Sequence, residues 1–407
     1  MSNQYDDQKG KDESSDKVKS LLSGISKRGA KKKETAIYGV YDNRKASIFT
    51  KLNDFFIDNT GVSLKEKAYF FHLMAVMIDA GIPMLQTLKV LANKTENLRF
   101  QRILNTLSYS TSSGASLSDS MARFPDVFTD AELGVIKAGE AAGNLNKMLF
   151  KLSEQTEKSH ALQVKLITAA TYPIIVLLVL VGVATAMMIW IVPTLINLLE
   201  EGGLSQDQFP TATKILIGIS GFIGSYWWLI LIVVLVIYLL YKVYRGTEVG
   251  KFQSDYFKLR IPVVGSLMRK VLVLRFISLL GILVESGLPV LKTLQIIGGS
   301  IDSAPYRVKI WEVIKKVQAG EKISTNLEDA PFLFPETVTQ MLNIAEGTAA
   351  IGSISQKIAD HYDREIDNSL KRLTSLFEPL MILFVGMVVA LLALAILMPI
   401  FDLTKLV

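Results

Sequence analysis

Apolar positions follow two patterns along this chain. In three stretches they run on without a single charge: Thr171 to Leu199, Ile215 to Tyr241 and Pro379 to Phe401. Elsewhere they recur at helical spacing between polar residues, as Leu73, Met77 and Ala80 do. Each uncharged run exceeds the roughly 20 apolar residues that carry a helix across ~30 Å of hydrocarbon. None shows the alternation of a strand, so the runs predict three spanning helices. The periodic stretches predict helices over Leu64 to Ala80, Asn97 to Ser113, Thr129 to Ala138 and Leu145 to Thr168. The last of these meets no breaker before Pro173, so it runs into the first span.

The patterns repeat. FFHLMAVMIDAGIPMLQTL at residues 70 to 88 reappears as FISLLGILVESGLPVLKTL at residues 276 to 294, a shift of 206. Gly81 falls on Gly287, Pro83 on Pro289, Gly114 on Gly320, Ser118 on Ser324, Phe128 on Phe334 and Glu140 on Glu346. Pro173 falls on Pro379 and Pro193 on Pro399, with no insertion between. The first and third spans are thus matching parts of two copies, and the second lies between them. In both copies a helix stops at the glycine (Gly81, Gly287), which allows a left-handed turn. The next one starts at the proline (Pro83, Pro289), whose missing N–H is harmless there.

The expected fold is therefore an all-α membrane protein, with two repeated cytoplasmic helical bundles of about six helices and three transmembrane helices. Residues 1–63 form a mostly disordered N-terminal segment, polar and ending near a basic cluster at Lys27, Arg28 and Lys31 to Lys33. Ala46 to Asn59 reads as a short helix. The first bundle covers 64–170 and the spans 171–199, 215–241 and 377–401. A short linker covers 200–214, the second bundle 242–376 and a tail 402–407.

Charge orients this arrangement. There are 24 Lys and Arg before Thr171 and 18 between Tyr241 and Pro379, but none in the stretch Glu200 to Pro210, which holds Glu200, Glu201 and Asp207. Basic loops stay cytoplasmic, so the N-terminus and the central segment face the cytoplasm, and the linker and C-terminal tail lie outside. Tyr226, Trp227 and Trp228 have the character of an interfacial belt. The net charge of +6 belongs to this cytoplasmic surface, and no zinc pattern or recognition element supports a nucleic-acid partner. With no Cys, disulfides and thiolate metal sites are excluded.

Catalytic chemistry has little to build on. His72, His160 and His361 are the only histidines, and none sits at metal-ligand spacing. No nucleophile elbow and no phosphate loop occurs, so no catalytic, cofactor or metal site is expected. Two carboxylates differ from the rest. Glu140 lies in Gly139-Glu140-Ala141-Ala142-Gly143, and Glu346 is followed by Gly347 in the other copy. Such a glutamate either caps a helix N-terminus, where the dipole favours a carboxylate, or presents its charge to a partner. Tyr172-Pro173 and Glu378-Pro379 mark the entries to the first and third spans, and Pro193 and Pro399 lie inside them.

Together these features resemble a duplicated inner-membrane platform family of type II secretion and type IV pilus assembly. They are the Gly-Ile-Pro-Met-Leu-Gln-Thr-Leu segment, the Gly-x-x-Leu-Ser step, the Gly-Glu motif, Tyr-Pro at a span entry, Phe377-Glu378-Pro379-Leu380 and Met398-Pro399-Ile400-Phe401. The resemblance covers about residues 64 to 404. It implies a non-enzymatic, multi-pass protein of the bacterial inner membrane that couples a cytoplasmic hexameric ATPase to insertion or removal of pilin or pseudopilin subunits. Other inner-membrane assembly proteins, the lipid bilayer and further copies of the chain are its implied partners. Two departures stand out: Ala345 and Ala349 replace Gly139 and Gly143, which puts an identical turn in question, and the first 63 residues do not match the common N-terminal segment. A small-molecule transporter or channel is the rival reading. The near absence of ionisable groups in the spans speaks against it.

Overall fold

The structure, a computed structural model, describes residues 57, 60–201 and 211–404. The expectations for the N-terminal segment, for most of the helix at Ala46 to Asn59, for the acidic linker beyond Glu201 and for the last residues of the tail fall outside them. All regular structure among the described residues is helical. The chain divides into two compact units: Met1–His160 with Ile282–Ile296, and Ala161–Gly281 with Ile297–Val407. These units do not coincide with the two sequence copies.

In the first unit, α1 (Leu64–Asp79) starts at a capping box. Ser63 accepts from the Glu66 amide, and the Glu66 carboxylate takes the Ser63 amide in return. Gly81 ends α1 at φ +81°, a conformation that costs a glycine nothing. α2 (Met84–Lys94) follows Pro83, and α3 (Leu98–Ser112) is capped by Asn97 on the amides of Arg99 and Phe100. A short α4 (Leu117–Met121) and α5 (Asp130–Ala141) complete the bundle with the first turns of α6 (Leu145–Ala186). Phe70, Phe71, Phe100 and Phe128 fill its centre, with ring centroids 5.3 to 6.5 Å apart. Fully burying each such ring is worth about 1.5–3 kcal/mol. The segment Ile282–Ile296 packs into this unit as well. Leu283, Leu288 and Ile296 lie against Gly134 of α5, where an added Cβ would stand 3.0 Å from Ile296. Lys151 pairs with Glu285 at 2.7 Å.

The second unit continues α6. Its helix passes through a π turn at Met187–Ile191 into α7 (Val192–Glu201). The stretch Leu145–Thr194 is long and apolar enough to cross a membrane. Pro193, two residues past the π turn, has no N–H to give the preceding turn. The Met188 carbonyl accepts instead from the Ser220 hydroxyl of α8 (Thr211–Arg245). α8 itself kinks at Tyr226, where φ is −120°. Then come α9 (Glu248–Arg260), α10 (Val264–Glu285) and α11 (Val290–Ser300); the C-terminal end of α10 and the first part of α11 belong to the first unit. α12 (Ala304–Gln318), α13 (Ile323–Glu328), α14 (Glu336–Gly347) and the 54-residue α15 (Ile351–Thr404) follow. Phe276, Tyr306 and Phe334 take the places of Phe70, Phe100 and Phe128, with centroids 5.1 and 5.2 Å apart. The added hydroxyl of Tyr306 donates to the Leu333 carbonyl at 2.7 Å, so its burial leaves no polar group unpaired.

Candidate functional site

Two structural nodes stand out, and both join sequence-distant parts of the chain. The first is the conserved-in-repeat glutamate, which the fold places on the short helix 23 residues upstream. Glu140 accepts from the Leu117 amide at 2.5 Å, the Ser118 amide at 3.3 Å and the Ser118 hydroxyl at 2.6 Å. Glu346 does the same in the other copy, taking the Ile323 amide at 2.6 Å, the Ser324 amide at 3.0 Å and the Ser324 hydroxyl. A carboxylate with three donors at a helix N-terminus is a strong, charge-assisted cap. It ties α4 to α5, and α13 to α14. The turn after the glutamate is also the same in both copies. Gly143 has φ +66° and Ala349 φ +54°, and each donates to the carbonyl of its glutamate at 3.3 Å. The alanine therefore holds a left-handed conformation that glycine adopts freely. Gly139 meets Met148, 2.8 Å from where a Cβ would stand. At the matching places copy two has Ala345 and Ile354.

The second node lies in the second unit, just before the apolar runs. Leu162, Leu166 and Ala169 of α6, Leu267, Val271 and Leu274 of α10, and Ile366, Leu370 and Leu373 of α15 pack together. Each set is spaced i, i+4, i+7, the stripe of a helical seam. Ion pairs flank it. Lys165 reaches Asp367 at 2.9 Å and Asp363 at 3.5 Å. Its hydrogen bond to Asp367 holds the ammonium pKa above the ordinary lysine value. Lys270 bonds Glu365 at 2.8 Å and Ser369 at 2.9 Å, and it pulls the Glu365 carboxyl below the usual range. Tyr362 is pushed up to about 12 by burial.

The remaining predicted positions are spread widely. Gly81 and Pro83 are exposed at one turn, and Gly287 and Pro289 at the matching one. Gly347 is exposed with open space around it. Tyr172 and Glu378 are exposed, Pro173 lies inside α6, and Pro379 lies inside α15. Pro193 follows the π turn, and Pro399 is part of α15. Sequence reasoning missed the buried pair Lys67–Glu132, joined at 2.8 Å in the first unit. A signal was present: the second copy carries Val273 and Val338 at those places. Among the described residues no group of three or more His, Asp or Glu stands where it could hold a metal ion.

Comparison with known proteins bears on both copies. The family model for protein F of the type II secretion system matches residues 70–193 and again 276–399. The chain is 33% identical over 342 residues to a type IV pilus assembly protein PilC of Thermus thermophilus, covering 84% of this chain and 83% of the relative. It is 29% identical to a type IV pilus assembly protein TapC of Aeromonas hydrophila, over 82% of this chain and 80% of that one. A type II secretion system protein F of Aeromonas hydrophila is 28% identical, over 87% and 90%.

Proposed function

The chain belongs to the type II secretion system protein F family, and on that premise we propose that it is the inner-membrane platform of a pilus or secretion machine. It crosses the membrane three times, over 171–199, 215–241 and 377–401, with its N-terminus in the cytoplasm. It carries out no chemistry of its own. It couples a cytoplasmic hexameric ATPase to the insertion or removal of pilin or pseudopilin subunits, and it works as a homo-oligomer among other inner-membrane assembly proteins.

One observation supports this reading best: α6 and α15 each run without a break from a bundle into an apolar run. A helix transmits displacement along its axis, so a push on a bundle becomes a movement of a span. The seam of Leu162, Leu166, Ile366 and Leu370 holds the two shafts together where they leave the cytoplasm. Glu140 and Glu346 keep each bundle stiff enough to pass the push on. The exposed turns at Gly81–Pro83 and Gly287–Pro289 are the proposed partner contacts.

Crosslinking in native membranes through an N-terminal tag, followed by mass spectrometry, tests the proposal. Recovery of a hexameric ATPase with pilin-like subunits is the expected result. Recovery of transport subunits, or of this chain alone, would remove the platform reading.

A further inference from the structure

The segment joining α9 to α10 is built to be apolar, exposed and fixed in place. Phe257 is 70% exposed, Ile261 37%, Val263 48% and Val264 43%. These side chains are not on a slack loop. The Gly265 amide donates to the Ile261 carbonyl at 2.8 Å and the Val264 amide to the Pro262 carbonyl at 2.7 Å. Gly265 passes so close to Leu259 that a Cβ would stand 2.3 Å from its carbonyl oxygen. Val263 is held at φ +66°, which a β-branched residue rarely adopts. The turn thus keeps a strained backbone while displaying valines to its surroundings, a combination that asks for a function.

Its position supplies one. α9 folds back along α8: Tyr241 meets Ser254 at 2.8 Å, Tyr244 meets Gln253, and Arg245 meets Asp255 at 3.4 Å. Tyr241 is the last residue of the uncharged run in α8. Phe257 and Ile261 lie three and seven residues past Ser254, so they sit roughly 4–10 Å further along that run at 1.5 Å per residue. The other side of the turn agrees. α10 runs antiparallel to α15, with Gly281 against Ser355 and Lys270 against Ser369. Continuing that pairing brings Val264 level with the residues just before Pro379, where the third apolar run begins. The charge fits as well. Lys258 and Arg260 flank the turn, and from Tyr256 to Val284 the chain has no acidic residue.

We infer that the α9–α10 turn dips into the cytoplasmic leaflet, burying Phe257, Ile261, Val263 and Val264 at the headgroup–acyl boundary beside basic residues that meet anionic headgroups. It is a monotopic anchor that fixes the height of the second unit against the bilayer. The inference rests on the reading that α8 spans the membrane.

Because the chain has no cysteine, single-cysteine variants test it directly. Full-length protein carrying Phe257→Cys, Val264→Cys, Ile232→Cys or Glu321→Cys is labelled with an environment-sensitive fluorophore. Each is placed in bilayers of phosphatidylcholine and phosphatidylglycerol. Quenching by lipids bearing a nitroxide near the headgroup is compared with quenching by an aqueous nickel chelate. At positions 257 and 264 the lipid quencher should win by about twofold or more, as at an interfacial segment, and at Glu321 the aqueous one should. Position 232 reads the span by itself. If it is quenched by lipid while 257 and 264 answer only to the aqueous quencher, or to neither because a protein covers them, the anchor is wrong and the span stands. If 232 is not quenched by lipid, the span reading fails and takes the anchor with it.

Discussion

Replacing Lys67 and Glu132 by valine should be harmful one at a time and harmless together, provided Thr129 becomes proline as well. The two side chains are 4% and 9% exposed as residues, and the ammonium stands 2.8 Å from each carboxylate oxygen. Glu132 also accepts the Thr129 amide at 2.8 Å, closing the capping box of α5. Removing one partner leaves a buried charge uncompensated, at a cost of about 3–5 kcal/mol. Glu132→Val should be the worse of the two, because it also strips the Thr129 amide of its acceptor, adding about 1–3 kcal/mol. Lys67→Val leaves Glu132 that amide and the helix dipole. The second copy shows the apolar solution. Val273 and Val338 occupy the equivalent sites, fully buried, and Pro335 stands where Thr129 is. Proline has no N–H, so nothing there needs the carboxylate. The triple variant Lys67→Val, Glu132→Val, Thr129→Pro should match the wild type or exceed it by about 1–4 kcal/mol. Thermal unfolding of the full chain in nanodiscs reads this out. At about 2–4 °C per kcal/mol Lys67→Val should lose roughly 6–20 °C and Glu132→Val roughly 8–32 °C, and the triple variant should lose none. A triple variant as unstable as either single one would show that apolar packing cannot replace the ion pair at this site.

Glu140→Gln and Glu346→Gln each exchange a charge-assisted cap for a neutral one, and each should lower stability by about 1–2 kcal/mol. Lost assembly at unchanged melting temperature would show instead that the charge meets a partner. Ala349→Gly should raise stability by about 0.5–1 kcal/mol, since it relieves a left-handed alanine, while Gly143→Ala should lower it by about as much; melts of both variants check the pair. Glu365 has its carboxyl pKa lowered by Lys270, so its contribution is present above the ordinary carboxylate value of 4.5 and is lost as pH falls through the lowered one. Wild type should therefore be more stable than Glu365→Gln near neutrality, and the gap should close in melts taken below pH 4.5.

Much of this architecture could be read from residue patterns, and what could not has physical reasons. The helix stop at Gly81 and restart after Pro83 were readable because each residue answers one backbone requirement. The continuity of α6 was readable because nothing between Leu145 and Thr168 breaks a helix. α4 has five residues, too few for a period, so only its cap at Ser116 announces it. Lys67 looks like a surface lysine until its fold partner 65 residues away is known. Glu140 raised two alternatives that only the approach of Leu117 and Ser118 separates into a geometry. The seating of Ile282–Ile296 in the first unit depends on Gly134, which leaves room for Leu283 and Ile296. The second copy has Gln340 there, so identical sequence register does not give identical packing. Pro193 is visible in the sequence beside the π turn, but Ser220, whose hydroxyl meets the Met188 carbonyl, comes from a different helix.

In the proposed mechanism unbroken helices carry motion from the bundles into the membrane, and Thr374-Ser375-Leu376 of α15 is the place to break one. These residues lie between the seam at Leu373 and the apolar run at Pro379. Three glycines there weaken the helix by about 1 kcal/mol each relative to three alanines. Both variants would replace the native chain in its host, with pilus or secretion output measured beside membrane abundance and ATPase crosslinking. Output lost with glycine, retained with alanine, and equal abundance and crosslinking in both is the predicted result. Full output from the glycine variant would contradict the account.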